Sequence, residues 1–151
     1  MNTQQKDLSY FKLKLQELLN TSFPEKSNDI AFIDGRSKTA INAYVILLKA
    51  GFSTEECEYN ANGILFERLY FSQFDTVFKV ICNEFDKVIV DDELRPFALK
   101  MLAICEPVFA QYILTDDFES EPQYELLYTE LTGTIANYME EYGASCHIHK
   151  S

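Results

Sequence analysis

Along most of the chain, apolar residues return at three- and four-residue steps, the spacing that lines one face of a helix. Leu8, Phe11, Leu15, Leu18 and Leu19 place such a stripe on a first helix, which Asn20-Thr21-Ser22-Phe23-Pro24 breaks. A second helix is predicted to begin near Asn28 or Asp29 and to run through Ile30, Ile33, Ala40, Ile41, Tyr44, Leu47 and Leu48. Gly51 follows the last periodic residue as a left-handed cap, with Phe52 folding back on Leu47. Gly35 inside this helix weakens it by about 1 kcal/mol relative to Ala.

Ser53-Thr54-Glu55-Glu56 has capping-box spacing, in which the Ser oxygen meets the amide three residues on and the Glu reaches back. The third helix then carries Cys57, Ala61, Ile64, Leu65 and Leu69. Ser72-Gln73-Phe74-Asp75 repeats the signal and starts a fourth through Phe74, Val77, Phe78, Ile81 and Phe85. Val88-Ile89-Val90 is too short to found a sheet and reads as a frayed helix end or a buried loop. Asp91-Asp92-Glu93 supplies the negative charge that a helix start favours, and Pro96 fits only a first turn. A fifth helix therefore begins near Asp92 to Leu94 and continues to Cys105, and Pro107 either kinks it or starts a short sixth.

Residues 113–120 are the longest stretch without periodicity. After Ser120-Glu121-Pro122-Gln123, a last helix carries the stripe Tyr124, Tyr128, Leu131, Ile135, Tyr138 and Tyr142, ended by Gly143. Ala144 to Ser151 reads as a flexible tail. The expected fold is all-α: one compact bundle of six or seven helices over residues 1–143, with 144–151 as the tail.

Charge sharpens this picture. The 151 residues carry a formal net charge of -11, unevenly placed, with residues 1–52 near +2 and the remainder near -13. Between Lys100 and Lys150 there is no Lys or Arg, but there are nine acids: Glu106, Asp116, Asp117, Glu119, Glu121, Glu125, Glu130, Glu140 and Glu141. A one-sign field of this kind repels nucleic acid and anionic lipid and favours a protein partner with a basic surface. No apolar run approaches a membrane span or a signal peptide, so the expected compartment is the cytoplasm.

Reactive chemistry is sparse. Both histidines, His147 and His149, fall in the tail, where no imidazole is held against a nucleophile. No phosphate loop, dinucleotide fingerprint, nucleophile elbow or zinc-protease motif occurs, so no catalytic residue, cofactor or metal is expected. Cys146-His147-Ile148-His149 is the one ligand-rich patch, but nothing else completes four ligands for a structural zinc. Cys57, Cys82 and Cys105 lie in or beside helical runs and read as packing residues.

Gly133, between Thr132 and Thr134, is an odd choice for the middle of a helix, and Leu126 shares its face opposite the tyrosine stripe. One reading has another helix of the domain packing closely over Gly133. The other makes Gly133 and Leu126 part of a docking surface.

Several segments resemble a family of small helical domains of unknown function, common in Bacteroidetes and often encoded on conjugative elements. They are Leu8-Ser9-Tyr10-Phe11, Leu65-Phe66 with Leu69-Tyr70-Phe71-Ser72, Asn83-Glu84-Phe85, Glu106-Pro107-Val108-Phe109, Asp116-Asp117-Phe118 and Tyr128-Thr129-Glu130-Leu131-Thr132-Gly133-Thr134-Ile135. The resemblance implies an all-α fold and a cytoplasmic bacterial setting, and carries over no active site.

The functional expectation is a non-enzymatic interaction module, an accessory of a mobile element. Its partner-binding residues would be Asp116, Asp117, Glu119, Glu121, Glu125, Leu126 and Gly133. Two alternatives stand beside it. A DNA mimic that blocks a nucleic-acid-binding enzyme requires acids spaced like phosphates. A carboxylate-dependent, metal-assisted enzyme requires acids converging in a cleft with raised pKa values.

Overall fold

The computed structural model describes residues 6–142. Among them are seven α-helices: α1 (Leu8–Ser22), α2 (Ile30–Lys49), α3 (Thr54–Leu65), α4 (Gln73–Glu84), α5 (Leu94–Ile104), α6 (Glu106–Phe109) and α7 (Gln123–Tyr142). Short 3₁₀ turns precede α2, α5 and α7, no strand forms among the described residues, and the all-α expectation holds. The chain divides into two compact units, Met1–Tyr70 and Phe71–Ser151. Each gathers its own cluster of buried apolar side chains.

In the first unit each helix start is capped by a side chain. The Asp7 carboxylate accepts from the Tyr10 amide at 2.9 Å, and the Asp29 carboxylate from the Phe32 amide at 3.1 Å. At the end of α2, Gly51 sits at φ +98°, a conformation without steric cost only for glycine. Phe52 N–H donates to the Leu47 carbonyl and Gly51 N–H to that of Leu48, each at 3.1 Å, closing the helix in a Schellman motif. Ser53 then opens α3 with a complete capping box to Glu56.

The predicted stripe of α3 runs too far. The helix stops at Leu65, because Arg36 reaches across from α2 and donates to the Leu65 and Glu67 carbonyls at 3.2 and 2.7 Å. These bonds, with Arg68 at φ 63°, turn the chain, and Leu69 is buried from the following loop rather than from the helix. The core of this unit is built on Phe11, Leu15, Leu19, Tyr44, Ala61 and Leu65. Ile30, placed on the α2 stripe by its spacing, is exposed at the first residue of the helix.

In the second unit, Ser72 Oγ accepts from the Asp75 amide at 2.9 Å and starts α4. Val88-Ile89-Val90 is a loop whose central residue is fully buried, so the buried-loop reading of this run is the correct one. Pro96 occupies the third position of α5, and α6 is a separate four-residue turn after Cys105. α7 packs against α4 and α6. Its buried line is Tyr124, Leu127, Leu131 and Ile135. The predicted stripe is buried at Tyr124, Leu131 and Ile135, whereas Tyr128 and Tyr138 are half-buried and Tyr142 is exposed. Gly143 and the Cys146-to-His149 patch lie outside the described residues.

Candidate acidic interaction surface

The segment joining α6 to α7 carries most of the predicted partner-binding residues, and one side chain determines how they are displayed. Phe118 is buried, with its ring edge-on to Phe71, Tyr112 and Tyr124 at centroid distances of 5.4, 5.8 and 6.5 Å. A short turn carries it inward: Phe118 N–H donates to the Thr115 carbonyl at 3.0 Å, and Ser120 N–H to that of Asp117 at 2.9 Å. With Phe118 pointing in, its neighbours Asp116, Asp117, Glu119 and Glu121 are left exposed. The sequence marks Phe118 only through the family resemblance and not as core, because an isolated core residue in a loop has no periodicity to reveal it.

Few cations answer these acids. Among the described residues, the ion pair that reaches them joins Lys79 Nζ to Glu119 Oε1 at 4.0 Å, with both side chains well exposed. Lys79 also lies over the Tyr124 ring, 5.6 Å from its centroid. Asp117 Oδ1 accepts from the Thr115 hydroxyl at 2.8 Å, which steadies the loop without neutralising the charge.

Glu125 and Leu126 are exposed on the first turns of α7, Leu126 at 56 %. Gly133 lies two turns further along the same face and is also exposed. A methyl group added there would meet nothing within 4 Å, so the expectation of a helix packed closely over Gly133 is overturned. Ile113, which the sequence did not single out, is 85 % exposed at the start of the acidic segment. Beside it lies an open groove of about 290 Å³ lined by Gln73, Glu106, Phe109, Ala110, Tyr112 and Leu114. The Tyr112 hydroxyl at this groove donates to the Glu130 carboxylate. On the neighbouring turn the Tyr128 hydroxyl donates to Glu84 at 2.9 Å and accepts from Asn83 at 3.2 Å. Burial pushes the Tyr128 hydroxyl up, and the Glu84 carboxylate adds to the rise against the opposing Asn83 bond.

Elsewhere the titratable groups are arranged for structure. In the first unit the Lys14 amine donates to Glu58, Asn62 and the Tyr10 hydroxyl at 3.1, 3.0 and 3.3 Å, and Tyr10 donates to the same Glu58 oxygen. Burial alone would lower the Lys14 pKa, but the bonds to Glu58 and Tyr10 outweigh it and raise it, so the amine stays charged. The Tyr10 bond, joined by Lys14, draws Glu58 down. Asp34, paired with Lys12 at 2.7 Å, also moves down, away from the raised values that a general acid needs. Burial pushes the Cys105 thiol up to about 11 and, with Asp86 and Asp91 nearby, also raises Cys82. Both thiols are therefore poor nucleophiles. Among the described residues, no three His, Cys, Asp or Glu side chains converge as a metal site would require, and no helix is long and apolar enough to cross a membrane.

Fold and surface together define an all-helical protein whose most distinctive exposed feature is acidic. The chain belongs to the family described as a domain of unknown function, DUF1896, which matches residues 3–144. It is similar to the protein PG0816 from Porphyromonas gingivalis, known from a crystal structure, at 43 % identity and a TM-score of 0.86 over 93 % of this chain and 95 % of that one. No curated protein matches the chain significantly.

Proposed function

We propose that the chain is a non-enzymatic protein-interaction module whose acidic segment, Asp116 to Glu125, docks a basic surface on a partner protein. The observation that carries this reading is the exposure of Asp116, Asp117, Glu119 and Glu121 around a buried Phe118, with a single 4.0 Å ion pair in attendance among the described residues. Exposed Ile113 and Leu126 lie at the two ends of this segment and supply apolar contact, which unaided charge attraction in water lacks. The phosphates of nucleic acid and anionic lipid are repelled by the same field. The sequence resemblance extends the reading to an accessory role on a mobile element in a cytoplasmic bacterial setting.

The test is affinity capture from the native host with the intact chain as bait, repeated at rising salt. A basic protein recovered at low ionic strength and released as salt increases supports the proposal. Recovery that is equal with the variant Asp116→Asn, Asp117→Asn, Glu121→Gln removes it.

A further inference from the structure

We infer that an open groove at the junction of α2 and α3 in the first unit docks a protein segment that presents a lysine or arginine side chain next to an apolar one. The groove has a volume of about 400 Å³ and is lined by Leu47, Phe52, Glu55, Glu56, Tyr59 and Asn60. It shares no residue with the acidic segment of the second unit and stands independently of the function proposed above.

Two caps in succession create it. The Schellman closure at Gly51 brings the chain back so that Phe52 faces Leu47, and the Ser53 capping box starts α3 immediately afterwards. Glu55 and Tyr59, four residues apart, then share one helical face, as do Glu56 and Asn60. The core does not need these side chains. Cys57, Ala61 and Leu65 form the buried face of α3, and the Phe52 backbone performs the capping. Tyr59 is nonetheless 83 % exposed and Phe52 46 %, two aromatic rings left in water beside carboxylates.

That combination suits a cation on an apolar stem. An ammonium or guanidinium group is attracted to the negative face of an aromatic ring and to a carboxylate, while its methylenes lie on apolar surface such as Leu47 and Phe52. Glu56 accepts from the Ser53 amide and hydroxyl at 3.2 and 3.0 Å, and neither Glu56 nor Glu55 has a basic partner among the described residues. The N-terminal end of α3 contributes a positive partial charge of roughly half a unit, which two carboxylates exceed. A phosphate-bearing ligand meets the wrong sign of charge here.

The experiment is a titration of the isotope-labelled full chain, followed by amide resonances, with a blocked hexapeptide of alternating leucine and lysine. Saturable shifts at Phe52, Glu55, Tyr59 and Asn60 are expected. Tyr59→Ala combined with Glu55→Gln should weaken binding by about tenfold or more, and Tyr59→Phe should retain it. Both side chains are exposed, so circular dichroism of the double variant should match the parent. Unchanged affinity in the double variant overturns the assignment, as does an equal response to a leucine–glutamate peptide. Equal saturation by spermidine would overturn the protein-segment assignment in favour of a free polyamine. The same resonances moving with protein concentration in the absence of peptide would give the groove to a second copy of the chain.

Discussion

Lys14, Glu58 and Tyr10 show how single side chains set the pH response of the first unit. The Glu58 carboxylate is held below its ordinary value of 4.5 by the Tyr10 and Lys14 bonds. Its contribution to stability is complete above that value and is lost as pH falls through the lower folded one. Lys14 is raised above 10.5, so its contribution is complete below that value and is lost as pH rises through the higher folded one. Replacing Glu58 by Gln should destabilise the protein by about 1 kcal/mol near neutrality, a figure reduced for partial exposure, and should flatten the acid limb of stability against pH. Urea midpoints from pH 3 to 7 measure both effects, and an unchanged acid limb would refute the assignment. The thiols give a second prediction at this scale. Cys82 and Cys105 should alkylate more slowly with iodoacetamide at pH 8 than a free thiol does, and unfolding in urea should remove the difference. Mass spectrometry of the labelled peptides provides the readout.

At the scale of the element, two glycines predict opposite outcomes for the same substitution. Gly133 is exposed in mid-α7 with open space around it, so Gly133→Ala should stabilise by up to about 1 kcal/mol through helix propensity alone. Gly51 also has open space, but its positive φ makes any Cβ strained, and Gly51→Ala should destabilise by roughly 1 kcal/mol. Thermal unfolding of the two variants decides the matter, and a destabilised Gly133→Ala would mean that α7 is covered on that face after all. The segment between α6 and α7 behaves unlike a loop in one respect. Phe118 is almost fully buried and touches three aromatic rings, so Phe118→Ala should destabilise by about 3–5 kcal/mol. Denaturant titration measures it, and a loss below about 1 kcal/mol would show that the turn does not depend on its anchor.

For the whole molecule, the formal charge of -11 sets the sign of the long-range field. The variant Asp116→Asn, Asp117→Asn, Glu121→Gln removes charge only from exposed positions, so its stability should stay within about 0.5 kcal/mol of the parent. Its association rate with a basic partner should fall and depend less steeply on salt, measured by stopped flow at several ionic strengths. A salt slope identical to the parent's would place the docking surface elsewhere.

Helix positions were legible in the residues because their causes are local. Three- and four-residue spacing, Ser53 and Ser72 as caps, Gly51 as a left-handed stop and Pro96 in a first turn each act within a few residues of where they stand. The acids of the candidate surface were legible for the same reason, since charge without a nearby base is visible in the chain itself. The tertiary structure decided what depends on residues far apart in sequence. Arg36 ends α3 by capturing carbonyls about thirty residues downstream, Phe118 is buried by rings from three segments, and the space over Gly133 is open. It also sorted the apolar side chains into two clusters and left Phe52 and Tyr59 in water, because periodicity shows that a residue is apolar but not which other element will cover it.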